Sequence, residues 1–359
     1  MPPYFKTSIL ALNKTIKNIL QFLVFLSIGL GILIWIFRRQ DEMYQADCVI
    51  KGIPAESCSL WSKLQADFLS VDPFWLIMVL VAFMVSNLSR AHRWQMLMKG
   101  IGMRVSFGNS FWTIMIGYMA NLSVPRIGEV LRGALLAKYE KQPVEKVLGT
   151  IVVDRAVDVV SLLIALVLAF TLQFNVIFGF LKENFSDSRL SGDLIWQLGI
   201  VAIAGLALLW FIRKWIMRSG LYQSIEKFLL GFYEGIKSIK TVENMPLFIL
   251  HSIIIWMAYY SMMWFCFNAF GPTEHLSGLA ALMVFVFGGL GIVFPSPGGM
   301  GTYHAMVMAA LALYGVAGND SFSFANILYF SVQLFCNISF GLLALLILPM
   351  INRTISENQ

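Results

Sequence analysis

The chain has 359 residues, 58% apolar and only 13% charged, with a net charge of +6 and a mean hydropathy of +0.75. A soluble domain carries roughly a quarter charged residues, so this composition indicates an integral membrane protein with several spans. The basic balance does not point to nucleic acid. Lys and Arg flank apolar segments, as the positive-inside rule expects, and no basic stripe with interleaved aromatics lies apart from them.

Apolar runs approaching 20 residues read as spans. In chain order these are Ile19–Phe37, Pro73–Leu88, Gly149–Leu172, Ile195–Ile212, Leu247–Phe270 and Phe324–Pro349. The first run lacks a small-residue cleavage pattern and reads as a span rather than a signal peptide. Two further apolar regions are broken in the middle: 106–139 at Asn121–Arg126, and 276–316 at the run from Pro295 to Gly301. Residues 219–244 mix apolar positions with Lys and Glu, the pattern of a cytoplasmic amphipathic linker or of a simple solvated helix.

Positive charge sets the orientation. Lys6, Lys14 and Lys17 precede the first span. Arg90, Arg93, Lys99 and Arg104 follow the second, and Arg213, Lys214, Arg218 and Arg353 follow later ones. With these cytoplasmic, both termini are inside, and 38–72 and 173–194 are outside. Arg38 and Arg39 count against that scheme. Region 106–139 then enters and returns from the cytoplasm, and 276–316 enters and returns from the far side. The separation of Pro73 from Pro125 nearly equals that of Pro246 from Pro297. The expected fold is all-α and polytopic: about six full spans plus two oppositely oriented re-entrant hairpins, in inverted repeats 73–172 and 246–349 of one membrane domain.

Charge inside a membrane is costly and marks a site or a pathway. Asn121, Arg126, Glu129 and Arg132 surround Pro125 in the first hairpin. The returning helix of each hairpin presents unpaired N–H groups, which attract phosphate, and Arg grips phosphate through paired hydrogen bonds. Gly298, Gly299 and Gly301 would let backbone approach a ligand or another helix. His304, a turn beyond, is either packing or a proton-linked switch. Glu129 stands three residues from both Arg126 and Arg132, the spacing of a helical ion pair. Asp154, Arg155 and Asp158 form a second cluster, read either as a salt-bridge lock to Arg132 or as carboxylates that trade partners.

Cys266 and Cys336 read as packing residues, whereas Cys48 and Cys58 share a polar stretch where a disulfide is open. His92, His251 and His275 form no metal spacing. There is no Walker loop, HExxH or nucleophile–base pair. The chain therefore reads as a non-enzyme without a cofactor or metal.

The run Asn121-x-x-x-Pro125-Arg126-x-Gly128-Glu129-x-x-Arg132, then Val153-Asp154-Arg155-x-x-Asp158, then Pro295-x-Pro297-Gly-Gly-x-Gly301, resembles the flippase-like membrane domain of lysylphosphatidylglycerol synthase/flippase proteins. The resemblance covers nearly the whole chain. It implies an inner-membrane translocase moving a phospholipid or polyisoprenoid-type lipid, with a phosphate headgroup as the bound partner. The soluble aminoacyl-transferase domain of bifunctional members has no counterpart here, so lysyl transfer is not expected of these residues. His304 stands where family members often carry Glu, so an acid-based role is not carried over. Two rival readings are a membrane-embedded lipid-phosphate enzyme and a non-transporting lipid-binding subunit. A homo-oligomer or an envelope-biosynthesis partner is compatible with any of the three.

Overall fold

The computed structural model describes residues 3–50, 52–54, 58–124, 126–185, 242–293 and 296–357. The Ile195–Ile212 span, the Arg213–Arg218 charges, nearly all of the 219–244 linker, Pro125 and Pro295 lie outside the described residues. Every regular element among the described residues is helical. In chain order the longer ones are α1 (Pro3–Ile50), α2 (Leu60–Ser70), α3 (Pro73–Gly100), α4 (Phe107–Ser123), α5 (Ile127–Tyr139), α6 (Val144–Leu172) and α7 (Phe174–Phe185). They continue with α8 (Met245–Ala269), α9 (Gly278–Val293), α10 (Thr302–Ala312), α11 (Gly318–Leu328) and α12 (Asn337–Glu357). A π-helical stretch, Tyr329–Cys336, joins α11 to α12.

Local chemistry sets the helix starts. Asp72 accepts the Phe74 N–H at 2.9 Å, with Pro73 in the first turn. Ser106 caps Asn109 at 3.1 Å, and Asn244 caps Leu247 at 3.1 Å, ahead of Pro246. Each side chain satisfies one of the N–H groups that a helix start leaves unpaired.

Among the described residues three helices are long and apolar enough to cross a membrane: Pro73–Gly100, Met245–Ala269 and the continuous Gly318–Asn352. There is a fourth if α6 and the start of α7, bent by 67°, form one span. Large apolar side chains such as Ile77, Leu163, Val167, Ile253 and Leu346 face outward, as suits a surface in hydrocarbon rather than water. The two stretches expected outside are largely helical where described: α1 runs on to Ile50 and α2 follows, and α7 occupies 174–185. Their short apolar faces explain this. Leu60 and Leu64 of α2 are buried with Ile36 and Phe322.

The α3 and α8 helices lie antiparallel along each other. Asp72 N–H reaches Ala269 O at 3.0 Å at one end, Trp75 stacks on Phe265, and Leu97 shares a cluster with Phe248 at the other. Two helical hairpins pack around this pair. In the first, α4 and α5 are joined at the base, where Glu140 accepts from Ser106 N–H at 2.9 Å and Asn109 Nδ2 at 2.6 Å. At its tip the backbones touch: a Cβ on Gly128 would run into Gly117 O. In the second, α9 and α10 cross where Gly291 meets Thr302 and Tyr303, and Thr302 Oγ1 donates to Gly291 O at 2.8 Å.

The hairpins point at each other from opposite ends of the bundle. The first has its base beside Asn352, which bonds Asn109, and the second starts beside Tyr260, whose hydroxyl donates to Gly278 O. Their tips meet: a Cβ on Gly298 would lie 2.9 Å from both Leu122 Cδ2 and the Tyr329 hydroxyl.

Candidate functional site

Helices α3, α5 and α6 enclose a charged cluster in an otherwise apolar interior. Asp154 is its centre, with no exposure. Its Oδ1 accepts from Arg93 Nη2 at 2.6 Å and Nε at 3.0 Å. Its Oδ2 accepts from Arg90 Nη1 at 3.1 Å and from Arg132 Nη2 at 3.4 Å. Asp158, one turn on, accepts from Arg93 at 2.7 Å, Arg90 at 2.8 Å and Arg155 at 3.2 Å. Glu129 bridges Arg132, at 2.8 Å, and Arg155.

Aromatic faces line the cluster. The Arg132 guanidinium lies 4.8 Å from the Trp94 ring centre, and Trp94 is fixed by donating from its indole to Thr150. Arg90 lies over Tyr259 and donates to its hydroxyl at 3.1 Å. Such faces stabilise a desolvated cation without neutralising it.

The charges do not balance. Among the described residues Arg90, Arg93, Arg132 and Arg155 face Glu129, Asp154 and Asp158, which leaves one positive charge in excess. The hydrogen bonds do not balance either. Arg132 Nε and Nη1, Arg90 Nε and Arg155 Nε are buried donors with no acceptor among the described residues, against one buried acceptor, Glu129 Oε2, without a hydrogen-bond donor. A buried guanidinium with unused donors is costly and is relieved by an acceptor-rich anion.

The residues singled out in the sequence part company here. Asn121 accepts the Gly128 N–H at 2.8 Å, across the turn between α4 and α5. Glu129 pairs with Arg132 as its spacing foretold, and reaches Arg155 as well. Asp154, Arg155 and Asp158 converge with Arg132. Arg126 does not: it begins α5 in the left-handed region, φ 65°, with its side chain exposed and unpaired among the described residues. Gly298, Gly299 and Gly301 all take positive φ, and their open sides are filled by Leu122 and Tyr329, by Ile292, and by Gly29 and Ile32. Turn geometry and close helix contact account for these glycines. His304 is buried against Tyr329, Tyr303 and Phe322. Asn326 lies near it, but neither ring nitrogen is in bonding geometry.

Arg90 and Arg93 correct the sequence reading. Sequence alone makes them solvated flank charges beyond an apolar run, whereas α3 runs 28 residues and buries both to 1% and 0% exposure. The available signal was their spacing of three, which puts both on one helix face immediately beyond an apolar run. Among the described residues no group of His, Cys, Asp or Glu converges as a metal set. The arrangement is suited to holding an anion by charge and by paired N–H groups.

The sequence profile of the family described as Lysylphosphatidylglycerol synthase TM region matches residues 58–341. Neither the curated proteins nor the solved structures compared with the chain include a match.

Proposed function

The chain belongs to the Lysylphosphatidylglycerol synthase TM region family, a lipid-related family of multi-pass membrane proteins, and from that premise we propose that it is a lipid translocase. Its cargo is a phosphate-bearing lipid, phospholipid or polyisoprenoid-type, whose headgroup passes between leaflets through the arginine cluster. The single observation that carries this reading is the uncompensated positive charge of that cluster, together with the unused donors on Arg132.

Arg132 is the residue best suited to take phosphate. One of its nitrogens is committed to Glu129 and Asp154, and the other two have no hydrogen-bond acceptor among the described residues. A phosphate has more acceptor oxygens than a carboxylate and pairs with the guanidinium fork. When cargo leaves, Glu129 and Asp154 are already in place to hold the cation, so the empty site does not carry fully bare charge. Arg126, exposed at the hairpin tip, is placed to meet a headgroup before the buried cluster does.

In this reading the two hairpins are re-entrant, entering from opposite leaflets in an inverted repeat, with their tips at mid-membrane. Backbone at that depth is tolerated where protein buries it or a wet cavity adjoins it. Both termini are cytoplasmic and the membrane is the plasma (inner) membrane. The Cys48–Cys58 disulfide supports an outer position for 38–72, since disulfides persist in oxidising compartments. No catalysis is assigned to the chain.

Reconstitution into proteoliposomes with a fluorescent phosphatidylglycerol tests the reading. Arg132→Ala is expected to lose most transport, and Arg132→Lys to restore only part of it, because the ammonium supplies charge without the fork. Wild-type transport by a folded Arg132→Ala protein would falsify the assignment.

A further inference from the structure

A separate cavity of about 300 Å3 opens at the base of the first hairpin, between α3, α8 and the turn that leads into α4. Its walls carry His92, Lys99, Arg104 and His251, with Gln95 Nε2 holding the turn through Val105 O at 2.8 Å. The two imidazoles stack with ring centres 5.5 Å apart and planes 20° apart. His92 is held from its other side by Phe107, at 4.4 Å. The Nδ1 of His251 is buried without a hydrogen-bond partner among the described residues.

Charged groups around the imidazole pair come from each neighbouring element. From α3 there are Arg93 and Lys99, and from the turn Arg104; α4 contributes only Phe107 at this point. Next to the start of α8, Glu243 pairs with Lys99 at 2.6 Å. Arg93 is already spent on Asp154 and Asp158, and it donates to Ser252, the neighbour of His251, at 3.3 Å. Arg104 is exposed and carries no ion pair among the described residues. Among the described residues the cavity therefore has one carboxylate, already taken by Lys99, against a guanidinium without an ion pair and two imidazoles.

We propose that this cavity is a second anion site, which binds a phosphate group and takes up protons on His92 and His251 as it does so. Two stacked imidazolium ions repel each other and the neighbouring cations; an anion between them and Arg104 turns that repulsion into attraction. Anion and protons therefore bind together, so lowering the pH strengthens anion binding. A lipid headgroup from the adjoining leaflet and free phosphate share this chemistry.

The test is calorimetric titration of the full chain in neutral detergent, at about pH 6 and about pH 8, with inorganic phosphate in one arm and dihexanoyl-phosphatidylglycerol in the other. Binding at the lower pH, weaker by roughly tenfold or more at the higher, is expected, since about 1.4 kcal/mol of lost charge pairing corresponds to a factor of ten. Binding of the lipid alone assigns the site to headgroups; binding of both assigns it to the phosphate group itself. The double variant His92→Gln/His251→Gln should lose the pH dependence. Arg104→Gln, an exposed change that leaves the fold intact, should weaken binding at both pH values. Arg132→Ala should keep this binding while losing transport, so the two assignments fail separately. The inference is overturned if neither probe binds the folded wild-type protein at the lower pH, or if either variant titrates like wild type.

Discussion

Replacing Asp154 with Asn keeps the shape of the side chain and removes one of the three anions that, among the described residues, face the four arginines. Asp154 contacts three guanidinium groups at 2.6–3.4 Å with no exposure. At an effective dielectric of about 20, each contact near 3 Å is worth on the order of 5 kcal/mol of Coulomb energy, most of it offset by desolvation. What remains after the change is a cluster with two excess positive charges, and breaking such a buried pair costs about 3–5 kcal/mol. Thermal unfolding of detergent-purified protein reads this as a large drop in midpoint. The companion change is Asp158→Asn, whose side chain is 13% exposed and whose loss water can partly offset; its drop should be smaller. Adding Arg93→Met to Asp154→Asn removes the stranded cation and should recover part of the loss, with a coupling of roughly 1–3 kcal/mol. An Asp154→Asn protein within about 0.5 kcal/mol of wild type, or a double variant no more stable than the single, refutes the charge accounting on which the site rests.

Other outcomes follow from the packing. Gly128→Ala forces a methyl against Gly117 O and Asn121 Oδ1. Overpacking of backbone costs about 1–3 kcal/mol or more, so this variant should lower both the yield of folded protein and its melting midpoint, while Gly149→Ala, with open space at that position, should not. Cys48 and Cys58 should resist a maleimide until reduced, and in intact cells an impermeant reductant should suffice to expose them; labelling without reductant contradicts the bond. Lys63 clamps α2 to α11 through Asp67 and Asp320, both at 2.7 Å. Burial works against its charge, but the two carboxylates win and its pKa is raised above 10.5. A raised folded pKa contributes stability that is fully present below the unfolded value and is lost as pH rises through the folded one. Lys63→Met should therefore lower the melting midpoint at neutral pH, by about 1 kcal/mol of stability, and the difference from wild type should close only at strongly alkaline pH.

Much of the architecture was legible because it is written locally. A Pro or Gly interruption inside an apolar run marks a break wherever it occurs, and both hairpins turn where the sequence is broken, α4 giving way to α5 after Ser123 and α9 to α10 around Gly298. The Glu129–Arg132 pair needed only helical spacing. Arg126 shows the limit of local reading: its spacing from Glu129 suggests an ion pair, but it starts α5 in the left-handed region, exposed and without an ion pair among the described residues.

Sequence alone determined that the chain lives in a membrane, that two apolar segments fold back on themselves, and that Asp154, Arg155 and Asp158 need partners. Composition, periodicity and helix breakers act over a few residues and survive without knowledge of the fold. Tertiary structure decided who those partners are. Arg90 and Arg93 stand more than 60 positions before Asp154 and Asp158, and their charge looks the same in sequence whether it faces water or a buried carboxylate. Only the packing of α3 against α6 takes the water away, and removing water is what turns a flank charge into part of a site.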